Sequence, residues 1–353
     1  MMYQTKSSIV VWLAALVVLL AGVMAAKTVV LPVIMAVFIS VICNQPIVWL
    51  EKKRVPYTVS VLIVLLSFAS ILMLFGSIIG GSLTNFMKVL PKYEANLKQI
   101  ILSVINDLNA LGANINPSQL IDLIDPGKVL SYTSTAVGEI GRIMSDSFII
   151  LLITIFILLE AKSFVSKADV IQKLQGTSLM HLDSIGKSIR HYLSIKTMIS
   201  LLTGVFIWLW LFILGVDFPI LWGVIAFFLN YIPSIGSIIA AVPTVLLALV
   251  QIGVGGMLWT GLAYLVVNIV MGNVIEPRMM GKGLGLSTFV VFLSLIVWGF
   301  IFGPVGMFLS IPLTITLKIM LEQKEETKWI AIMLGSEQET RDILREFKDD
   351  DAL

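Results

Sequence analysis

Four residues follow at steps of four in an otherwise apolar stretch, and three of them are polar: Tyr264, Asn268, Gly272 and Glu276. On a helix that spacing lines them along one face, and Asn273 stands three before Glu276. A second polar group interrupts another apolar stretch, NYIPSIGSIIAAVP from Asn230 to Pro243. Amides and phenols both donate and accept hydrogen bonds. Asn230, Tyr231, Tyr264, Asn268 and Asn273 therefore suit a small polyhydroxylated ligand. The same residue types also act as glue between packed membrane helices, and for Asn268 alone glue is the stronger reading.

Glu276-Pro277-Arg278 offers a charge. A carboxylate at the centre of a membrane helix costs about 2.5–3.5 kcal/mol and marks function by default, whereas one at the helix end costs little. Glu276 can pair with Arg278 or Lys282 and pin the loop, or it can carry a proton that couples transport. The glycines of Gly281 to Gly285 permit tight turns, and Ser287 or Thr288 can cap the helix that follows. Other chemistry finds no support. Gly186-Lys187-Ser188 is half a P-loop, but position 181 is His where the motif needs Gly. There is no His-Glu-x-x-His and no Gly-x-Ser-x-Gly, so neither an enzyme nor a metal site is expected. His181 and His191 read as solvated residues of a polar linker, Glu160 as a charge at a span end, and Cys43 as a small core residue. No cofactor and no nucleic-acid partner are expected.

The elements that position these residues are built for lipid. Of 353 residues, 58% are apolar and only 13% charged. A soluble domain needs more charge to cover its surface. The chain reads as an all-α polytopic membrane protein. Stretches of about 20 apolar residues, the length a bilayer core requires, place full spans near 9–26, 28–50, 59–80, 147–162, 194–215 and 256–275. The first could be a signal peptide, but its length and the apolar segment that follows favour a retained helix.

Two further apolar stretches are interrupted. Phe218 to Ile252 is too short for two crossings and longer than one needs. Its midpoint, Pro233 to Gly236, is a turn signal. Thr288 to Met320 has the same plan, with Gly303, Pro304, Val305 and Gly306 at its centre. Pro233 and Gly236 at one tip match Pro304 and Gly306 at the other. Both read as re-entrant helical hairpins, each preceded by a full span and entering from opposite sides. Paired interrupted segments in inverted halves point to a transporter with its site between the repeats. Irregular backbone at that depth persists only where protein or water satisfies it. A proline kink between short tilted helices is the plainer alternative.

Most of the 24 Lys and Arg residues fall in segments that share one side if the N-terminus is cytoplasmic. These include Lys52, Lys53 and Arg54, the linker 161–193, Lys196, the loop 276–286 and the tail. The chain thus divides into three N-terminal helices (1–81), a polar helical segment (82–146), a fourth span with its linker (147–193), a helix–hairpin core (194–320) and an amphipathic cytoplasmic tail (321–353). In the polar segment Leu83, Phe86, Leu90, Tyr93, Leu97, Ile100, Val104, Leu108 and Leu111 form a near-heptad stripe, broken at Pro91 into two helices. Self-packing and a subunit contact explain it equally well. In the tail, Trp329, Ile330, Met333, Leu334, Ile343, Leu344 and Phe347 give a shorter stripe that fits a surface-lying helix.

From Asn230 to Pro243, and again through GNVIEPRMMGKGLGLSTFVVFLSLIVWGFIFGPVGMFLSIPLT (Gly272 to Thr314), the chain resembles the autoinducer-2 exporter family of bacterial inner-membrane proteins. The resemblance runs through nearly the whole chain and is weakest in the first 25 residues and the tail. It implies export of autoinducer-2, a small polar signal used in quorum sensing, by a homo-oligomer in the inner membrane. Some relatives are assigned sodium/proton antiport, so membership does not fix the substrate.

Three functions compete on this reading. The first is secondary export of a small polar metabolite by alternating access. The second is cation/proton antiport, which usually needs mid-membrane carboxylates; the deep spans have none. The third is a non-transporting assembly protein acting through 82–146.

Overall fold

The computed structural model describes residues 2–112, 146–164, 166, 167, 170, 180–233, 235–280, 285–341 and 344. Lys282, most of the second half of the polar segment, and Ile343 and Phe347 of the tail stripe lie outside them. Among the described residues the chain is helical throughout, without strands. In order, these are α1 (Met2–Ala25), α2 (Lys27–Lys52), α3 (Tyr57–Ala110), α4 (Asp146–Phe164), α5 (Met180–Leu214), α6 (Pro219–Leu229), α7 (Gly236–Ile252) and α8 (Val254–Val267). A π-helical segment (Asn268–Ile275) leads into α9 (Glu276–Met280). Then come α10 (Thr288–Phe302), α11 (Pro304–Phe308), α12 (Ser310–Glu322) and α13 (Glu325–Leu334). Among the described residues, five helices are long and apolar enough to cross a membrane: Lys27–Lys52, Tyr57–Ala110, Asp146–Phe164, Ile185–Leu214 and Val254–Met280.

The chain forms two compact units. The first holds Met1–Ser67, Ser147–Ser194 and Met280–Leu353. There Ser287 caps α10 by accepting from the Val290 N–H, as its position before the apolar run predicts. α10 ends at Gly303, whose φ of 71° suits only glycine. The break is narrower than the sequence suggests. Pro304 opens α11 at a position where its missing N–H costs nothing, and Gly306 lies within that helix. A Cβ on Gly306 would stand 1.9 Å from the Trp298 carbonyl oxygen, so α11 packs on α10 backbone to backbone. α12 then returns along α10, where the Trp298 indole donates to Thr314 Oγ1 (2.9 Å). Lys318 is buried in α12 and bonds Glu339 at 2.6 Å and Glu322 at 3.1 Å. The tail helix α13 folds onto α12 through Ala331, leaving Trp329 and Met333 exposed.

The second unit holds Phe68–Asp146 and Ile195–Met279. Its core centres on fully buried Trp222, which meets Phe86 edge-on at 5.6 Å between ring centres. Ile207 and Leu211 of α5, Leu247 and Ala248 of α7, and Tyr264 of α8 complete it. Glycines set the closest approach: Gly204 and Gly223 let α5 and α6 touch, each with the other's carbonyl oxygen under 3 Å from where a Cβ would sit.

Pro91 does not break its helix. α3 runs through it, with the proline ring exposed and Leu90 and Tyr93 buried on the opposite face. The lost backbone bond is outweighed by the stripe, since Phe86, Leu90, Tyr93 and Leu97 all bury. Further along, Ile105 buries instead, and Val104, Leu108 and Leu111 are exposed. A straight helix drifts about 20° per heptad, so a seam that keeps a strict repeat rotates off the buried face.

Candidate functional site

The second unit gathers polar side chains on one turn of α5. The apolar run of Phe218 to Ile252 breaks where Pro233 and Gly236 predict, between α6 and α7. The break is tight because Gly236 has no side chain: a Cβ there would fall 1.7 Å from the Leu229 carbonyl oxygen. Pro233 lies in the turn and accepts from the Ile235 N–H. The turn presents two side chains to α5. Asn230 Nδ2 donates to Ser200 Oγ at 3.0 Å, and the Tyr231 hydroxyl donates to Thr197 Oγ1 at 2.7 Å.

The same turn of α5 receives a charge from elsewhere in the unit. Lys196 Nζ donates to both oxygens of Glu276, at 2.8 and 2.9 Å. The lysine side chain is 5% exposed and the glutamate 17%. Glu276 therefore pairs across helices rather than with Arg278, and Lys196 belongs to a helix interior rather than to a loop. α5 begins at Met180, so the second half of the expected linker is helix. Ile185, Ile189, Tyr192, Leu193 and Ile199 bury one stripe of it.

Glu276 reaches Lys196 at the end of eight π-helical residues. π turns are uncommon and concentrate at functional sites. This one holds Asn268, Gly272 and Asn273. Asn268 Oδ1 accepts from Ser237 Oγ on α7 (3.1 Å), and an added Cβ on Gly272 would press within 3.4 Å of that amide oxygen. One turn earlier Tyr264 lies 3.2 Å from Thr244 Oγ1. The Thr244 proton goes to the Ala240 carbonyl, so Tyr264 is the donor. Tyr264 and Asn268 thus face α7, while Glu276 faces α5. Asn273 and Arg278 are exposed.

Lys196, Thr197, Ser200, Ser237 and Thr244 escape a reading of the sequence alone. The available signal was a lysine within a continuous helical stripe, which demands a counterion. Further along the face of Lys196 and Ser200, the Thr203 hydroxyl is buried without a hydrogen-bond partner among the described residues. So are the Thr260 hydroxyl and the Trp222 indole N–H. Unmet polar atoms in an apolar interior cost about 1–3 kcal/mol each.

Helices long and apolar enough to cross a bilayer mark the chain as a multi-helix membrane protein. The sequence profile described as AI-2E family transporter matches residues 13–326. The chain belongs to the AI-2E transporter family. It is 38% identical to the AI-2 transport protein TqsA of Escherichia coli (strain K12), over 93% of this chain and 95% of that protein. It is 35% identical to YhhT of the same organism, named only provisionally as a transport protein, over 94% of this chain and 95% of that protein. A provisionally named transport protein of Haemophilus influenzae (strain ATCC 51907 / DSM 11121 / KW20 / Rd) is also 35% identical, over 92% and 94%.

Proposed function

We propose that this chain exports a small polar metabolite, with autoinducer-2 as the substrate, by alternating access in the bacterial inner membrane. The observation that carries this reading is the convergence of two irregular segments on one turn of α5. Asn230 and Tyr231 arrive from the hairpin turn, and Glu276 arrives from the π segment. Amide, phenol and hydroxyl groups there exchange partners at little cost, so a polyhydroxylated ligand can replace the contacts they make with each other. The substrate assignment leans on the name of TqsA. The two interrupted stretches serve as inverted re-entrant halves of a core spanning 194–320, with both termini cytoplasmic. Several copies assemble, and the exposed Val104 and Leu108 of α3, with Leu111 just past its end, supply an apolar contact face.

A second reading, cation/proton antiport, draws on the buried Lys196–Glu276 pair. A carboxylate held inside the helices by one lysine is the kind of group such exchange needs. Autoinducer-2 uptake into inside-out vesicles separates the two. Export predicts uptake by wild type, lost in Asn230→Ala. Antiport predicts no autoinducer-2 uptake but a sodium-dependent proton flux, lost in Glu276→Gln.

A further inference from the structure

A buried serine or threonine on a helix can satisfy its own hydroxyl by donating to the carbonyl three or four residues back. Ser40, Thr154, Thr244, Ser310 and Thr314 all do so, at 2.7–2.8 Å. Thr203 of α5 does not. Its side chain is buried, and its Oγ1 has no hydrogen-bond partner among the described residues. An unmet buried hydroxyl is destabilising, and the carbonyl of Ile199 stands one turn back on the same helix. The Thr203 hydroxyl is therefore not spent on its own backbone.

Its position ties it to the polar turn described above. Lys196, Ser200 and Thr203 follow at steps of four and three, so they share one face of α5. All three are buried. Lys196 donates to Glu276, and Ser200 accepts from Asn230. Thr203 is the next rung, about 4.5 Å further along the axis than Ser200. One turn beyond it, Ile207 joins the apolar core around Trp222. The hydroxyl thus lies where the polar ladder ends and the apolar core begins. Thr260 gives the contrast. Its hydroxyl is also buried and unmet among the described residues. It sits on α8, however, 16 residues before Glu276, which is more than about 20 Å along a helix.

We infer that Thr203 is a contact for the transported solute, bonding one of its hydroxyls when Asn230 gives up Ser200. This rests on the export reading above and adds a residue to it. Ser200 and Thr203 each donate and accept. Two hydroxyls one turn apart match two neighbouring oxygens of a polyhydroxylated solute. An apolar solute would leave both unmet.

The test is autoinducer-2 uptake into inside-out vesicles, with melting temperatures of the same variants purified without solute. KM is the quantity read, because it does not depend on how much protein each vesicle holds. Thr203→Val keeps the shape and removes the hydroxyl. It raises KM about fivefold, the worth of one hydrogen bond, and melts no lower than wild type. Thr203→Ser keeps the hydroxyl and the wild-type KM. Thr260→Val leaves KM unchanged. A wild-type KM in Thr203→Val overturns the inference and leaves export standing, as does an equal rise in Thr260→Val. A lower melting temperature in Thr203→Val also overturns it, because the hydroxyl then serves the resting fold, as one bonded to a trapped water does. No uptake by wild type overturns the export reading and the inference together.

Discussion

Lys196 and Glu276, 80 residues apart in sequence, meet through two hydrogen bonds of 2.8 and 2.9 Å inside the helices of one unit. Taking both charges out of water is costly, and removing one partner strands the other. Lys196→Met alone should therefore destabilise the protein by about 3–5 kcal/mol. The double variant with Glu276→Met should recover most of that. Thermal unfolding of wild type and the two variants, purified in detergent, checks the order. If the double variant is no better than Lys196→Met, the pair is not the source of the loss.

The π segment sets which way Glu276 faces. Deleting Val270 would let the segment relax to an α-helix and rotate everything after it by about 100°. Glu276 would leave Lys196 while Asn268 kept Ser237. We expect a folded protein that reaches the membrane but takes up no autoinducer-2 in vesicles. Wild-type uptake would show that the π winding is incidental.

The two break glycines make a separate prediction about packing. A Cβ at Gly236 or Gly306 would collide with a backbone oxygen at 1.7 or 1.9 Å. Overpacking of this kind costs about 1–3 kcal/mol or more. Gly261, on α8, has nothing within 4 Å of an added Cβ. Gly236→Ala and Gly306→Ala should lower the melting temperature, whereas Gly261→Ala should hold or raise it, because alanine favours helix.

Tyr93 joins the extension of α3 to the loop after α5 and the end of α7. Its hydroxyl donates to Asp217 Oδ2 at 2.6 Å and accepts from Gln251 Nε2 at 3.0 Å, while Gln251 also bonds Asp217 at 2.6 Å. Tyr93→Phe removes two of these bonds and keeps the ring against Phe86. Hydrogen exchange should rise in residues 86–100 and 214–218 together. A rise in only one of them would mean that the knot does not couple them.

Much of this arrangement is legible in the residues themselves. Pro233 and Gly236 mark the first break because proline lacks the N–H and the room to continue a helix and glycine admits the close backbone contact with Leu229. Tyr264, Asn268 and Glu276 stand out because polar groups are rare in apolar helices. Lys196 was legible only as a charge beside a polar linker. Its meaning depends on a partner far along the chain, and pairings at such separation leave no local pattern. The π winding is hidden for a similar reason: its apolar residues fit an α-helical period equally well. Pro91 misleads because proline's local preference is strong, but the buried stripe around it is stronger.

One junction constrains how this unit can move. α7 and α8 pack side by side and are joined by Gly253 alone, at φ 91°. With no slack in the connection, α7 cannot travel along its own axis without dragging α8. The turn that carries Asn230 is therefore tied through α7 to α8 at a one-residue corner.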